Sequence, residues 1–273
     1  MISLTAGAGA LDYLPCRYGR SRLVFRGPER DLSRPYVAML GGTPTFGKYV
    51  ARPYPDLVEQ AIGHPVVNLG GLNAGPDFYL SDHAALDIAA GAKIAVVQIT
   101  GAEVLSNPFY SVHGRRNDRF LAATPALRDL YPDVDFADIH YTRHLLQVLS
   151  RADSGRFQTV RQTLRESWLA KMRLLLSRLS GRSLLLWLAS SAPPARAEDL
   201  QDDPLFIDRA LLDALRPDVA ALVEVVPSPR ARVMGLLDKT FDETEAAQAA
   251  CLPGSAAHAE VAAGLRPVIQ QLW

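Results

Sequence analysis

Residues 36–75 read YVAMLGGTPTFGKYVARPYPDLVEQAIGHPVVNLGGLNAG, and their pattern decides the fold. An apolar run ends in a glycine turn carrying hydroxyls. A short segment with helical apolar spacing follows, and a second apolar run ends in another glycine-rich turn. This is a β-turn-α-β unit. Its strands, at 36–40 and 66–69, are nearly continuous apolar runs, the pattern of parallel strands covered on both faces. Its helix, at 55–62, opens on a proline, whose fixed φ and missing N–H suit a first helical turn. In open parallel sheets ligands bind beyond the carboxyl ends of the strands. The two turns are therefore expected side by side at one site.

The rest of the chain continues the rhythm. Further strands are predicted at 93–99, 183–189 and 219–226, and helices at 77–90, 157–179, 203–215 and 256–272. Within 157–179, Phe157, Val160, Leu164, Trp168, Met172, Leu175 and Leu179 recur every three or four residues and form one apolar stripe. Strands alternating with helices predict an α/β fold, a three-layer sandwich in one domain spanning 1–273. Residues 104–156 break the pattern. They are too long and too polar for a simple connection, so a lid-like insertion of loop and helix is expected there, with its helix at 138–149. A short strand is expected at 20–26.

Composition narrows the function. The 273 residues carry 29 basic and 29 acidic side chains, for no net charge. That excludes a polyanion-binding surface as the main feature, and nucleic acid is not expected as a partner. The two cysteines, Cys16 and Cys251, form no metal pattern and are expected as buried free thiols of a reducing compartment. Residues 1–15 lack a basic region and a long apolar core, so no leader is expected. No apolar run is long enough to span a bilayer. These features predict a soluble cytoplasmic protein with no membrane span.

Three motifs bear on chemistry. Residues 42–48, GTPTFGK, match a phosphate-loop spacing, but Tyr49 stands where the magnesium-binding hydroxyl belongs. Pro53 and Pro55 also bar the helix that such a loop requires. His140 and His144 lie four apart on an expected helix. Without an acidic residue between them they read as polar packing, and no metal or cofactor is predicted. Asn107, His113, Arg115, Arg116, Asp118 and Arg119 cluster in the insertion. Three arginines beside a histidine suit an anionic group, and the same cluster also reads as a solvated loop with local ion pairs.

The turn at Gly41-Gly42-Thr43, with Thr45 and Gly47 after it, resembles the first sequence block of the SGNH (GDSL-like) hydrolases and acyltransferases. Residues 68–75, NLGGLNAG, resemble their second block. The resemblance implies a flavodoxin-like strand order, 2-1-3-4-5, and places Thr43 at the nucleophile position. It puts Gly42, Gly71 or Gly75, Asn73 and Asn107 around an oxyanion, with Glu103 near the expected third-block position. In that family an Asp-x-x-His pair supplies acid and base before the last helix. Here CLPGSAAH (251–258) aligns two ways. One makes His258 the base; the other puts Leu252 at the base and Ala249 at the acid. The base is then His258, a histidine of the insertion, or absent. The resemblance implies an esterase or acyltransferase acting on a polar small-molecule, glycan- or lipid-linked substrate, and the departures from its pattern, threonine for serine and no Asp-x-x-His pair in one alignment, predict weak hydrolysis. Sulfuryl or phosphoryl transfer, or anion or glycan binding without catalysis, is the alternative. The whole chain also resembles a bacterial family known as a domain of unknown function. Oligomeric state is not legible.

Overall fold

The computed structural model describes residues 11–179 and 182–273. Most of the stretch read for a leader lies outside them. The first β-α-β unit forms where its pattern places it. β1 (Val37–Leu40) ends at Gly41, and a four-residue helix α1 (Thr43–Phe46) turns the chain. α2 (Tyr54–Ile62) returns it and β2 (Val66–Asn68) closes the unit. The turn is tight by necessity. A Cβ on Gly41 would meet Thr45 Oγ1 at 2.1 Å, and one on Gly70 would meet Phe46 N at 2.3 Å. Only glycine allows the two turns to touch.

α3 (Pro76–Leu80) and α4 (His83–Gly91) stand where one helix was expected. The Asp82 carboxylate accepts the Ala85 N–H and caps a new helix there, so the single period splits. β3 (Ile94–Gln98) follows. The insertion then departs from the expected loop and helix. It opens with an antiparallel hairpin, β4 (Tyr110–His113) and β5 (Arg116–Ala123), followed by α5 (Pro125–Leu130) and α6 (Thr142–Ala152). Tyr110, Val112 and Phe120 alternate inward along the hairpin, while the charges of 115–119 obscure that period in the sequence. α7 (Ser154–Ser177) buries Phe157, Val160, Leu164, Trp168, Met172 and Leu175, the predicted stripe.

β6 (Arg182–Leu188) leads into an irregular segment, and α8 is confined to Arg209–Leu215. The start expected at 203 fails because Asp208, not an earlier residue, caps the helix by accepting the Leu211 N–H. β7 (Ala221–Val225), α9 (Pro229–Val233), α10 (Ala246–Ala250) and α11 (Ser255–Leu272) complete the chain.

The five-stranded parallel sheet runs β2-β1-β3-β6-β7, the order second, first, third, fourth, fifth among its members. Alternation along each strand feeds two cores. Ala38, Leu40, Val97, Leu185 and Trp187 pack toward α4, α7 and α8. Val37, Met39, Val96, Leu184 and Leu186 pack toward α2 and α11. The tryptophans sit at opposite ends of this sandwich. The Trp168 indole N–H donates to Thr100 O at 2.9 Å and that of Trp187 to Ser191 O at 2.8 Å, both past the carboxyl ends of strands. Trp273 is stacked on His64 at 3.9 Å, with Lys93 Nζ 4.5 Å from its ring centre, where β2 and β3 begin.

Candidate active-site cleft

The turns after β1, β2 and β3 meet in a cleft of about 950 Å³, lined by Gly42 and Thr43, by Asn73 and Ala74, and by Thr100, Gly101 and Glu103. Asp118, Tyr141 and Arg143 of the insertion, Asp203, Arg232 and the segment 250–254 complete its wall.

A polar column behind the floor holds the first turn. Gln98 Oε1 accepts from Gly42 N–H at 3.1 Å and from Thr45 Oγ1 at 2.6 Å. The Tyr54 hydroxyl lies 2.7 Å from Thr45 Oγ1, and the Tyr79 hydroxyl accepts the Gly41 N–H at 2.7 Å. On the cleft side Thr43 is nearly buried, and its hydroxyl donates to Asn73 Oδ1 at 2.9 Å while accepting the Asn73 N–H at 2.9 Å. Asn73 sits at φ 53°, in the left-handed region that asparagine tolerates. Its Nδ2 donates to Asp118 at 2.9 Å, and Asp118 in turn pairs with Arg116 at 3.3 Å.

His258 is placed elsewhere. It is buried on the α2–α11 side, its Nδ1 accepts the Tyr54 N–H at 3.0 Å, and its ring stacks on that of Tyr54. Burial, with Arg26 and Lys239 as minor causes, pushes its imidazole down to about 3, so it stays neutral. No histidine lines the cleft among the described residues. Leu252, the alternative match to the base position, does line it.

The glycine N–H groups implied for an oxyanion are already engaged. Gly71 N–H donates to Gly41 O at 3.0 Å and Gly75 N–H to Asn117 Oδ1 at 2.7 Å. Asn107 closes its own turn, accepting from Phe109 N–H and Tyr110 N–H. His113 Nδ1 accepts the Arg115 N–H at 3.2 Å, Arg115 is exposed, and Arg119 bridges to Tyr141 through the main chain. Of the cluster 107–119, Asp118 alone reaches the cleft wall among the described residues, because the hairpin turns the arginines outward. Lys48 pairs with Glu245 at 2.9 Å rather than closing a phosphate loop.

The charged groups that do line the cleft are ones the sequence did not single out as a set. Glu103 is buried. Its Oε1 accepts from Arg143 at 3.1 Å, while the buried Oε2 has no partner among the described residues. Burial raises its carboxyl pKa, and the Arg143 guanidinium opposes that rise. Arg143 is also held by Asp203 at 3.0 Å. Cys251, expected to be buried, is exposed and lines the cleft; Cys16 is half-buried. The short turn between α10 and α11 presents Cys251 because Lys239 Nζ draws in the carbonyls of Ala249 and Leu252 on either side of it.

The model of one family, the domain of unknown function DUF6473, matches residues 1–273, the whole of this sequence. The chain belongs to the DUF6473 family. No curated protein matches this DUF6473 chain. Among solved structures it is similar to a protein from Lactobacillus plantarum determined by structural genomics. That match has 13% identity and a TM-score of 0.41, covering 88% of this chain and 98% of that one. It is also similar to a gut microbial diltiazem-metabolizing enzyme. There the identity is 10% and the TM-score 0.40, covering 85% of the DUF6473 chain and 46% of that protein.

Proposed function

We propose that this chain is a group-transfer enzyme of the SGNH-like acyltransferase type, acting on a polar glycan- or lipid-linked substrate without a covalent enzyme intermediate. One observation carries the reading. The Thr43 hydroxyl donates to an amide oxygen, which is no base, while the same cleft holds Glu103 with an unpartnered carboxylate oxygen. A serine-type nucleophile needs a base within hydrogen-bond reach, and His258 gives its Nδ1 to Tyr54 instead. A carboxyl raised by burial is a stronger base than a free one. In this scheme Glu103 takes the proton of an acceptor hydroxyl as that oxygen attacks the acyl carbon. The proton then passes to the leaving group, and the Thr43–Asn73–Asp118 line holds the substrate.

Sulfuryl or phosphoryl transfer draws less support. The cleft wall carries Glu103, Asp118 and Asp203 against Arg143 and Arg232, and Arg143 is already flanked by two carboxylates.

The test is acetyl transfer from 4-nitrophenyl acetate to glycerol, with intact-mass measurement of the protein. Glu103→Gln is expected to lower transfer by roughly 10²–10⁴-fold. His258→Ala is expected to leave the slow ester hydrolysis unchanged, and Thr43→Ala to weaken transfer through substrate holding, with no acetyl adduct in either protein. An acetyl adduct that disappears in Thr43→Ala would overturn the non-covalent scheme. Transfer absent from the wild type, or equal in Glu103→Gln, would leave a binding cleft.

A further inference from the structure

Nine large apolar side chains stand exposed among the described residues, and four of them fall within residues 226–237. Val226 is 40% exposed, Val233 80%, Met234 38% and Leu237 60%. The same segment forms a lip of the cleft, because Pro227, Ala231, Arg232 and Gly235 line its wall. Along this lip Pro227, Ala231 and Gly235 line the cleft beside Arg232, while the large apolar side chains of Val226, Val233, Met234 and Leu237 stand in water. A concentration of apolar surface at a site entrance marks an interaction surface rather than ordinary scatter. A further exposed large side chain, Tyr141 at 48%, also lines this cleft. Tyrosine has the amphipathic character of side chains that settle at a membrane–water boundary.

Charge selects the kind of surface. The segment carries Arg230 and Arg232, both exposed, and no acidic residue. Neither arginine is in a salt bridge among the described residues; Arg232 donates to Ser190 O at 3.1 Å. Two acids beside the segment face inward: Glu260 accepts from Ser228, and Asp238 accepts the Ala256 N–H through Oδ2 while its Oδ1 is buried. Apolar side chains flanked by free guanidinium groups match an anionic lipid interface, where burial and headgroup attraction add. No helix among the described residues is long and apolar enough to cross a membrane, so the contact is peripheral.

We propose that residues 226–237, together with Tyr141, seat the mouth of the cleft on an anionic lipid surface. The substrate class follows: an amphiphile whose polar head enters the cleft while its hydrocarbon chain stays in the bilayer. That class rests on the transfer reading above; the docking itself does not, because vesicle binding is measured without turnover.

The experiment is flotation of the full chain with vesicles of phosphatidylcholine and phosphatidylglycerol at 3:1, and with phosphatidylcholine alone. The wild type is expected to float with the mixed vesicles and to bind neutral ones about tenfold less well. Val233→Ser with Leu237→Ser is expected to weaken binding at least about tenfold, and Arg230→Glu about fivefold with less salt dependence. All these side chains are exposed, so unchanged melting temperatures should accompany the losses. Failure of the wild type to float would overturn the proposal, and so would binding equal in all variants. A concentration-dependent dimer dissolved by the serine variant, without vesicle binding, would also overturn it and make the lip a protein interface.

Discussion

At the scale of single residues, His258 shows how burial decides chemistry. Its ring is closed in by α2, and Nε2 has no partner among the described residues. The folded state therefore keeps it neutral down to about 3, against an ordinary value of 6.5. The folded protein then binds fewer protons than the unfolded chain between those values. Stability is complete above 6.5 and falls as the pH drops toward 3, by up to about 1.4 kcal/mol per pH unit. His258→Gln keeps an acceptor for the Tyr54 N–H and removes the titration. Urea unfolding from pH 7 to pH 4 should show a flatter loss in that variant, although its stability at pH 7 is lower. An unchanged slope would mean that other groups govern acid sensitivity. The sequence could not reveal this, since a histidine near the start of the last helix has the same spacing whether it serves a cleft or a core. Glu103 was obscured in the same way. Its burial depends on Arg143, forty positions away in the chain, and nothing local announces the pair.

At the scale of elements, the hairpin of β4 and β5 is tied to the second turn through one side chain. Asn117 is fully buried, and its Oδ1 accepts from Gly75 N–H at 2.7 Å and Phe78 N–H at 3.1 Å, while its Nδ2 donates to His113 O. Removing it leaves the buried Gly75 N–H without that acceptor, while the Phe78 N–H keeps the Gly75 carbonyl at 3.1 Å. Asn117→Ala is expected to cost about 1–3 kcal/mol in thermal or urea unfolding. It should also loosen the Asp118–Asn73 contact, and hydrogen exchange at Asn73 and Gly75 should rise. Protection unchanged at both amides would show that the hairpin is held by its aromatic packing alone. The contrast in legibility is instructive. β1 and β2 bury continuous apolar runs and α2 buries one apolar face, so their patterns survive in the sequence. The hairpin buries one face and sets an Arg-rich turn against solvent. Its alternation is carried by Tyr110, Val112 and Phe120 alone, too few to outweigh the surrounding charge.

At the scale of the whole molecule, the strand order is the one the family resemblance implied, and the position of the cleft follows from where the apolar runs stop within that order. β1 lies between β2 and β3, so the turns after all three must share an edge. That much was legible. The far wall was not, because residues 226–254 reach the cleft through short helices and turns whose packing has no period. The placement of the tryptophans has an optical consequence. Two indoles are bonded to the loops at the cleft edge, and the third lies at the foot of the sheet against His64 and Lys93. Emission from Trp168 and Trp187 should therefore answer to occupancy of the cleft, while that of Trp273 should not. In Trp273→Phe, titration with a bound ligand should change a larger fraction of the remaining fluorescence than in the wild type; in Trp187→Phe the change should shrink. Equal fractional changes in both would mean that the signal is global. The sandwich thus carries an internal reference dye at one end and a reporter pair at the other, so that ligand screening requires no added label.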